Sequence, residues 1–195
     1  MQLSIQHTTQ YSYSDPLNYS IQQLRLTPHD GFGQRVKNWS ISVNGQLSQH
    51  LDTYGNIVHT MVLDGNHSEI KLVAKGEVET GLSMTKSEER LPLQIFLRNT
   101  VLTSVDAHIK SFAAPFGPLK TIADLERLSA AIIDCVPYVK GATGVYTTAP
   151  QAFEASTGVC QDHAHIFIAC CRSLLTPARY VSGYLFTDDG HLLES

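Results

Sequence analysis

Apolar and polar residues alternate at a two-residue period through the first eighty residues, the period of a strand with one covered face. Leu3, Ile5, His7 and Thr9 alternate with Ser4, Gln6 and Thr8, Tyr11 and Tyr13 continue the pattern, and Asp15-Pro16 breaks it. Residues 21–27 form a second such run, closed by Pro28-His29-Asp30-Gly31. Trp39, Ile41 and Val43 share one face of a third run, 36–43, with Asn44-Gly45 as its turn. A fourth, 56–63, ends at Asp64-Gly65, and a fifth, 69–78, places Ile70, Leu72 and Ala74 on one face. Short alternating strands separated by turn residues predict an antiparallel β-sandwich over residues 1–82.

The period changes after Gly81. Residues 83–104 read as a linker followed by an extended stretch around Pro92, and 105–195 carry helical spacing. Ser104 is positioned to cap a short helix that stops before Pro115. Thr121 with Asp124 three residues on is a capping box with Asp in place of Glu. Ile122, Leu125, Leu128, Ile132 and Cys135 then keep helical spacing up to Pro137. Thr148-Ala149-Pro150-Gln151 repeats the start signal for a short helix ending near Gly158. The next helix begins at Val159 or Cys160 and runs to about Leu175. Ile166, Phe167, Ile168, Ala169, Cys170, Cys171, Leu174 and Leu175 cover most of its circumference, so it is expected to be buried. Residues 178–187 read as a strand and Asp188-Asp189-Gly190 as a turn.

Composition narrows the function classes. With 43% hydrophobic and 16% charged residues the chain is an ordinary globular protein. The net charge is −4, and residues 1–100 hold 8 Lys+Arg against 9 Asp+Glu, the remainder 6 against 9. No basic cluster appears, so no nucleic-acid partner is expected. No stretch approaches the length of a membrane span and no leader precedes the first strand, so no membrane partner and a cytoplasmic location are expected. Cys135, Cys160, Cys170 and Cys171, two of them adjacent, make a poor disulfide framework and suit a reducing compartment.

Cys160 is singled out by position. It follows Gly158 and opens a helix, where unpaired N–H groups and partial positive charge favour thiolate over thiol. The same amides can receive an oxyanion when the thiolate attacks a carbonyl. The alternative is a small core residue, the fate of most free cysteines. His163 lies close to the same helical face, but a helix neighbour seldom aims its ring at its own first turn. His165 reads as buried and hydrogen-bonded, and Asp162 as a carboxylate favoured by the helix dipole. His191 sits in the C-terminal turn region. Zinc is disfavoured, because His165 lies about 140° round the helix from Cys160. Cys135, Cys170 and Cys171 read as core. Tyr138, Gln151 and Tyr146 remain open as further oxyanion contacts.

Gly158-Val159-Cys160-Gln161-Asp162-His163-Ala164-His165 resembles the nucleophile motif of the bacterial transglutaminase-like superfamily, in which an aromatic residue usually stands where His163 does. Pro177-Ala178-Arg179-Tyr180-Val181-Ser182-Gly183-Tyr184 is similar to the family's next segment. Leu24-Arg25-Leu26-Thr27-Pro28 and Asp52-Thr53-Tyr54-Gly55-Asn56 resemble its N-terminal β-domain. The resemblance implies an α+β chain: the β-sandwich followed by the helical first half of a papain/transglutaminase-like core. It also implies a papain-like cysteine protease, amidase or acyl transferase acting on a peptide or protein amide through a thioester on Cys160. No cofactor and no metal are implied. The family's histidine and aspartate follow the 177–184 segment, so they are expected beyond Ser195 and the chain is expected to be truncated. Exposed core surface would then favour self-association. A binding module that keeps the fold without the chemistry is the alternative.

Overall fold

The computed structural model describes residues 1–83, 91–186 and 192–194. It divides into two compact units, Met1–Leu91 and Pro92–Ser195.

The first unit is built from two very long strands, β1 (Gln2–Leu24) and β4 (Ile57–Thr80), with two shorter ones, β2 (Gln34–Val43) and β3 (Gln46–Leu51). All pairing is antiparallel and converges on β4. β1 runs along its whole length on one side. On the other, β2 pairs with residues 72–80 and β3 with 57–62. Leu24 and Met61 from one half of this sheet share a core with Ile70 and Leu72 from the other, flanked by Ile41, Val43, Leu47 and Leu63. A single antiparallel sheet thus folds across its own middle and encloses an apolar interior.

The expected breaks after residues 13 and 63 are bends inside continuous strands. Between Ser12 and Leu17, four residues of β1 stand against the single Ser68 of β4, and a second shift follows at Tyr19. Asp15-Pro16 and Asp64-Gly65 lie at this irregularity. Bulges bend a strand without ending it. The extra residues also reverse the parity of β1. Leu3, Ile5, His7 and Thr9 turn inward before the bulge, whereas Gln22 and Leu24 do so after it and Ile21 faces out. Asn44-Gly45 is likewise no hairpin turn, since Val43 pairs with Leu72 but Gln46 with Val62. It carries the chain from one leaf to the other, pinned by Asn44 Nδ2 to the Glu69 carbonyl at 3.0 Å and by the Lys71 amide to Asn44 Oδ1 at 3.0 Å.

The second unit gathers round one helix. Its elements are a 3-10 turn (Leu93–Leu97), α1 (Ala107–Ala113) with a 3-10 extension to Phe116, α2 (Ile122–Cys135), α3 (Ala149–Ala155) and α4 (Cys160–Ser173). Two short strands, β5 (Tyr184–Phe186) and β6 (Leu192–Glu194), pair with each other. α1, α2 and α3 all pack on α4, whose Ile166, Ala169, Cys170 and Cys171 meet Ile109, Leu128, Ile132 and Ala152 in one core. Residues 92–104 contribute buried Phe96 and Thr103 to this unit, tied by Arg172 to the Phe96 carbonyl at 2.8 Å and to Thr103 Oγ1 at 2.6 Å.

Both capping boxes form as expected, Thr121 with Asp124 and Thr148 with Gln151. α1 is capped by Asp106, whose Oδ1 accepts from the Ile109 amide at 2.8 Å, rather than by Ser104. The apolar period of α2 overreaches at both ends, since Leu128 and Ile132 are buried while Ile122 and Cys135 are exposed. Cys135 is therefore not core: it sits at the last turn of α2, and Val136 takes the buried position. Residues 178–183 run without ladder bonds until β5. The proposed turn at 188–190 lies outside the described residues.

Gly76 of β4 faces Trp39 across the bulge between Val36 and Asn38, and a Cβ there would meet the Trp39 ring at 2.6 Å. Because the clash involves backbone as well as ring, Gly76→Ala is expected to cost about 1–3 kcal/mol. The single tryptophan makes urea unfolding followed by Trp39 fluorescence a direct measure of it.

Candidate active site

Cys160 is the first residue of α4 and is solvent-exposed. Its position follows from how the helix starts. The preceding residue, Val159, has no side-chain acceptor, so only the reach-back half of a capping box operates. Asp162 Oδ2 accepts from the Val159 amide at 2.8 Å and from the Thr143 hydroxyl. Asp162 is 1% exposed, and a buried carboxylate is tolerated only with such donors. Gly158 is required by this arrangement, because a Cβ there would lie 2.9 Å from Asp162 Cβ. The first intrahelical bonds run from Asp162 and His163 to the Val159 carbonyl at 2.9 and 3.1 Å. The amides of Cys160 and Gln161 precede that ladder, at the positive end of the helix dipole and beside the exposed sulfur.

The segment before Cys160 is fastened to the same two turns of α4. His163 Nε2 bonds the Val136 carbonyl at 2.6 Å. The Val139 amide donates to the Gly158 carbonyl at 2.9 Å, and the Gly158 amide to the Pro137 carbonyl at 3.3 Å. His165, 6% exposed, lies within electrostatic reach of the Thr147 backbone, while its Nδ1 is buried without a hydrogen-bond partner. Its ring also meets Tyr180 at a centroid distance of 5.8 Å. Asp162 and His163 thus hold the chain from Val136 to Thr143 against the start of α4. Thr143 and the Thr147 carbonyl carry no periodic or compositional signal, and sequence reasoning missed both.

The other candidates fall elsewhere. Gln151 Oε1 accepts from the Thr148 amide and hydroxyl, both at 3.0 Å, at the start of α3. Tyr138 bridges to Gly158 through its backbone and leaves its side chain exposed, as does Tyr146. His191 lies outside the described residues. Cys170 and Cys171 are buried in the core, as expected. Burial pushes their thiols up, to about 12 for Cys170 with help from the neighbouring Cys171, and to about 11 for Cys171 against the opposing pull of Arg172.

The four thiols should therefore separate in two groups. Iodoacetamide is expected to alkylate Cys160 and Cys135 in the folded chain and to leave Cys170 and Cys171 unmodified until denaturant is added, as read by peptide mass mapping. Stability should also depend on acid. Burial holds the His165 imidazole below its ordinary value of 6.5, against the opposing pull of the Asp162 carboxylate and the Thr147 carbonyl. Burial, then nearby His50, does the same to His59 in the first unit. The unfolded chain binds these protons more readily, so their contribution is complete above about 6.5 and is lost as pH falls below it. Calorimetry should show lower transition temperatures at about pH 5 than at about pH 7.5, with the second unit's shift reduced in His165→Gln.

Two family models match the chain in order: the bacterial transglutaminase-like N-terminal region over residues 3–79 and the transglutaminase-like superfamily over residues 110–193. An uncharacterised protein of Mycobacterium leprae is 29% identical over 200 residues, covering 94% of this chain and 71% of that protein. One from Mycobacterium tuberculosis is 27% identical over 206 residues, covering 94% and 66%. The fold is shared with a solved structure from Cytophaga hutchinsonii, proposed to be a cysteine protease, at a TM-score of 0.75 and 20% identity, covering 98% of this chain and 73% of that one. Among the described residues no helix is long and apolar enough to cross a membrane. The matched regions span both units, and the chain belongs to the transglutaminase-like superfamily, with the N-terminal region of its bacterial members.

Proposed function

We propose that this chain carries the nucleophile of a cysteine-dependent amide hydrolase or acyl transferase, and that Cys160 is that nucleophile. The observation that supports it most is an exposed thiol on the first residue of α4, at a helix start that buried Asp162 holds in place. Membership of the superfamily and the proposed role of the Cytophaga hutchinsonii protein point the same way.

In this reading the Cys160 thiolate attacks an amide carbonyl carbon. A C–S bond forms as the carbonyl electron pair moves onto oxygen, where the Cys160 and Gln161 amides meet the charge. Collapse breaks the C–N bond, and the amine leaves with a proton from an imidazole. Water or an amine then attacks the thioester, gives its proton to the same imidazole, and the C–S bond breaks. The resemblance assigns that imidazole to a histidine downstream of residues 177–184. His163 is committed to the Val136 carbonyl, and His165 is buried. That commitment also favours a second reading, a binding module that keeps the fold without turnover.

A thiophenyl ester of a short acetylated peptide separates the two. The chain should gain the mass of the acyl group on the Cys160 peptide, hydroxylamine should release it, and Cys160→Ala should abolish the adduct. No adduct, or one that survives Cys160→Ala, would refute the nucleophile and leave the binding module.

A further inference from the structure

We propose that residues 138–147 form a fixed apolar rim beside Cys160, and that this rim selects amides flanked by an aromatic or aliphatic side chain. The inference rests on the nucleophile reading above and adds a substrate class to it. Four large apolar side chains of this segment stand in solvent: Tyr138 at 57% exposure, Val139 at 42%, Val145 at 68% and Tyr146 at 87%. Contiguous exposed apolar surface marks contact sites, and the rim is the inference that these four form one.

Their place is set by the same bonds that set Cys160. Val139 is bonded to Gly158, two residues before the nucleophile. Thr143 is bonded to Asp162, two residues after it. Within the segment the chain closes on itself, from the Thr147 amide to the Gly144 carbonyl at 3.0 Å and from the Gly144 amide to Thr147 Oγ1 at 3.0 Å. A rim fixed before substrate arrives loses little conformational entropy on binding, which is how a few exposed aromatic side chains can discriminate. The composition limits what it can select. Lys140 is the only charged residue from 138 to 147, so an acidic side chain is the one rival ligand the segment could attract.

Peptidyl chloromethyl ketones test this directly, since the sulfur displaces chloride as the C–S bond forms and the adduct reports the residue attacked. Inactivation rates at Cys160 would be measured by mass spectrometry for acetylated reagents carrying Phe, Gly, Glu or Lys beside the ketone. Each rate is divided by the iodoacetamide rate of the same protein, which reads the thiol alone. The Phe reagent is expected to exceed the Gly reagent by about tenfold, the scale of a half-buried aromatic ring. The ratio should fall toward one in Tyr138→Ala/Tyr146→Ala, whose side chains lie outside both cores. A Phe-to-Gly ratio near one in the unaltered chain, a ratio the double variant leaves intact, or a faster Glu reagent would each overturn the rim. A Cys160 that iodoacetamide labels no faster than Cys135 would overturn the nucleophile itself, and the rim with it.

Discussion

The arrangement of the second unit depends on one buried carboxylate. Asp162 is hidden from solvent, three residues into α4, and its oxygen joins the Val159 amide to the Thr143 hydroxyl. A carboxylate so placed is costly to bury and strongly bonded once its donors are supplied, each bond contributing about 1.5–3 kcal/mol. It fixes where α4 begins, hence where Cys160 stands. It fixes Gly158, whose missing side chain makes room for it. It also draws in the segment that crosses in front of the helix. One interaction therefore sets the place of Cys160, the backbone amides at the helix start and the course of the segment before it.

Such a device explains why the motif around Cys160 is dense in polar residues although the helix is buried. Asp162, His163 and His165 all lie in the first two turns; Asp162 reaches Val159 and Thr143, His163 reaches Val136, and His165 is buried against the Tyr180 ring. Farther along, Ile166, Ala169, Cys170 and Cys171 make contacts that are purely apolar. The helix is a site scaffold at its start and a core element for the rest of its length.

Much of this was legible in the residues. Both capping boxes were visible because Thr121 and Thr148 have their partners three positions away, and local hydrogen bonds need nothing but spacing. The start of α4, at Val159 or Cys160, was visible from the Gly158 before it and the apolar run after it. What escaped depended on contacts between distant parts of the chain. Thr143 is an ordinary loop threonine until Asp162 stands opposite it. Cys135 continues the apolar period of α2 but falls on its uncovered side. In the first unit, Asp15-Pro16 and Asp64-Gly65 are sound turn signals that serve as a bend, because the partner strand continues past them. Periodicity reports which face of a strand is covered, but a bulge silently exchanges the faces, as the outward Ile21 shows.

The folded sheet has a mechanical consequence. In most sandwiches the two leaves are joined by loops, and one can loosen while the other persists. Here β1 and β4 each pass through both leaves as single strands, paired with each other on either side of the bulge. No separate loop joins the leaves, and pulling on one transmits tension along the backbone of both strands into the other. The unit should yield as a whole or hold as a whole, a stiff platform in which local fraying has nowhere to stop.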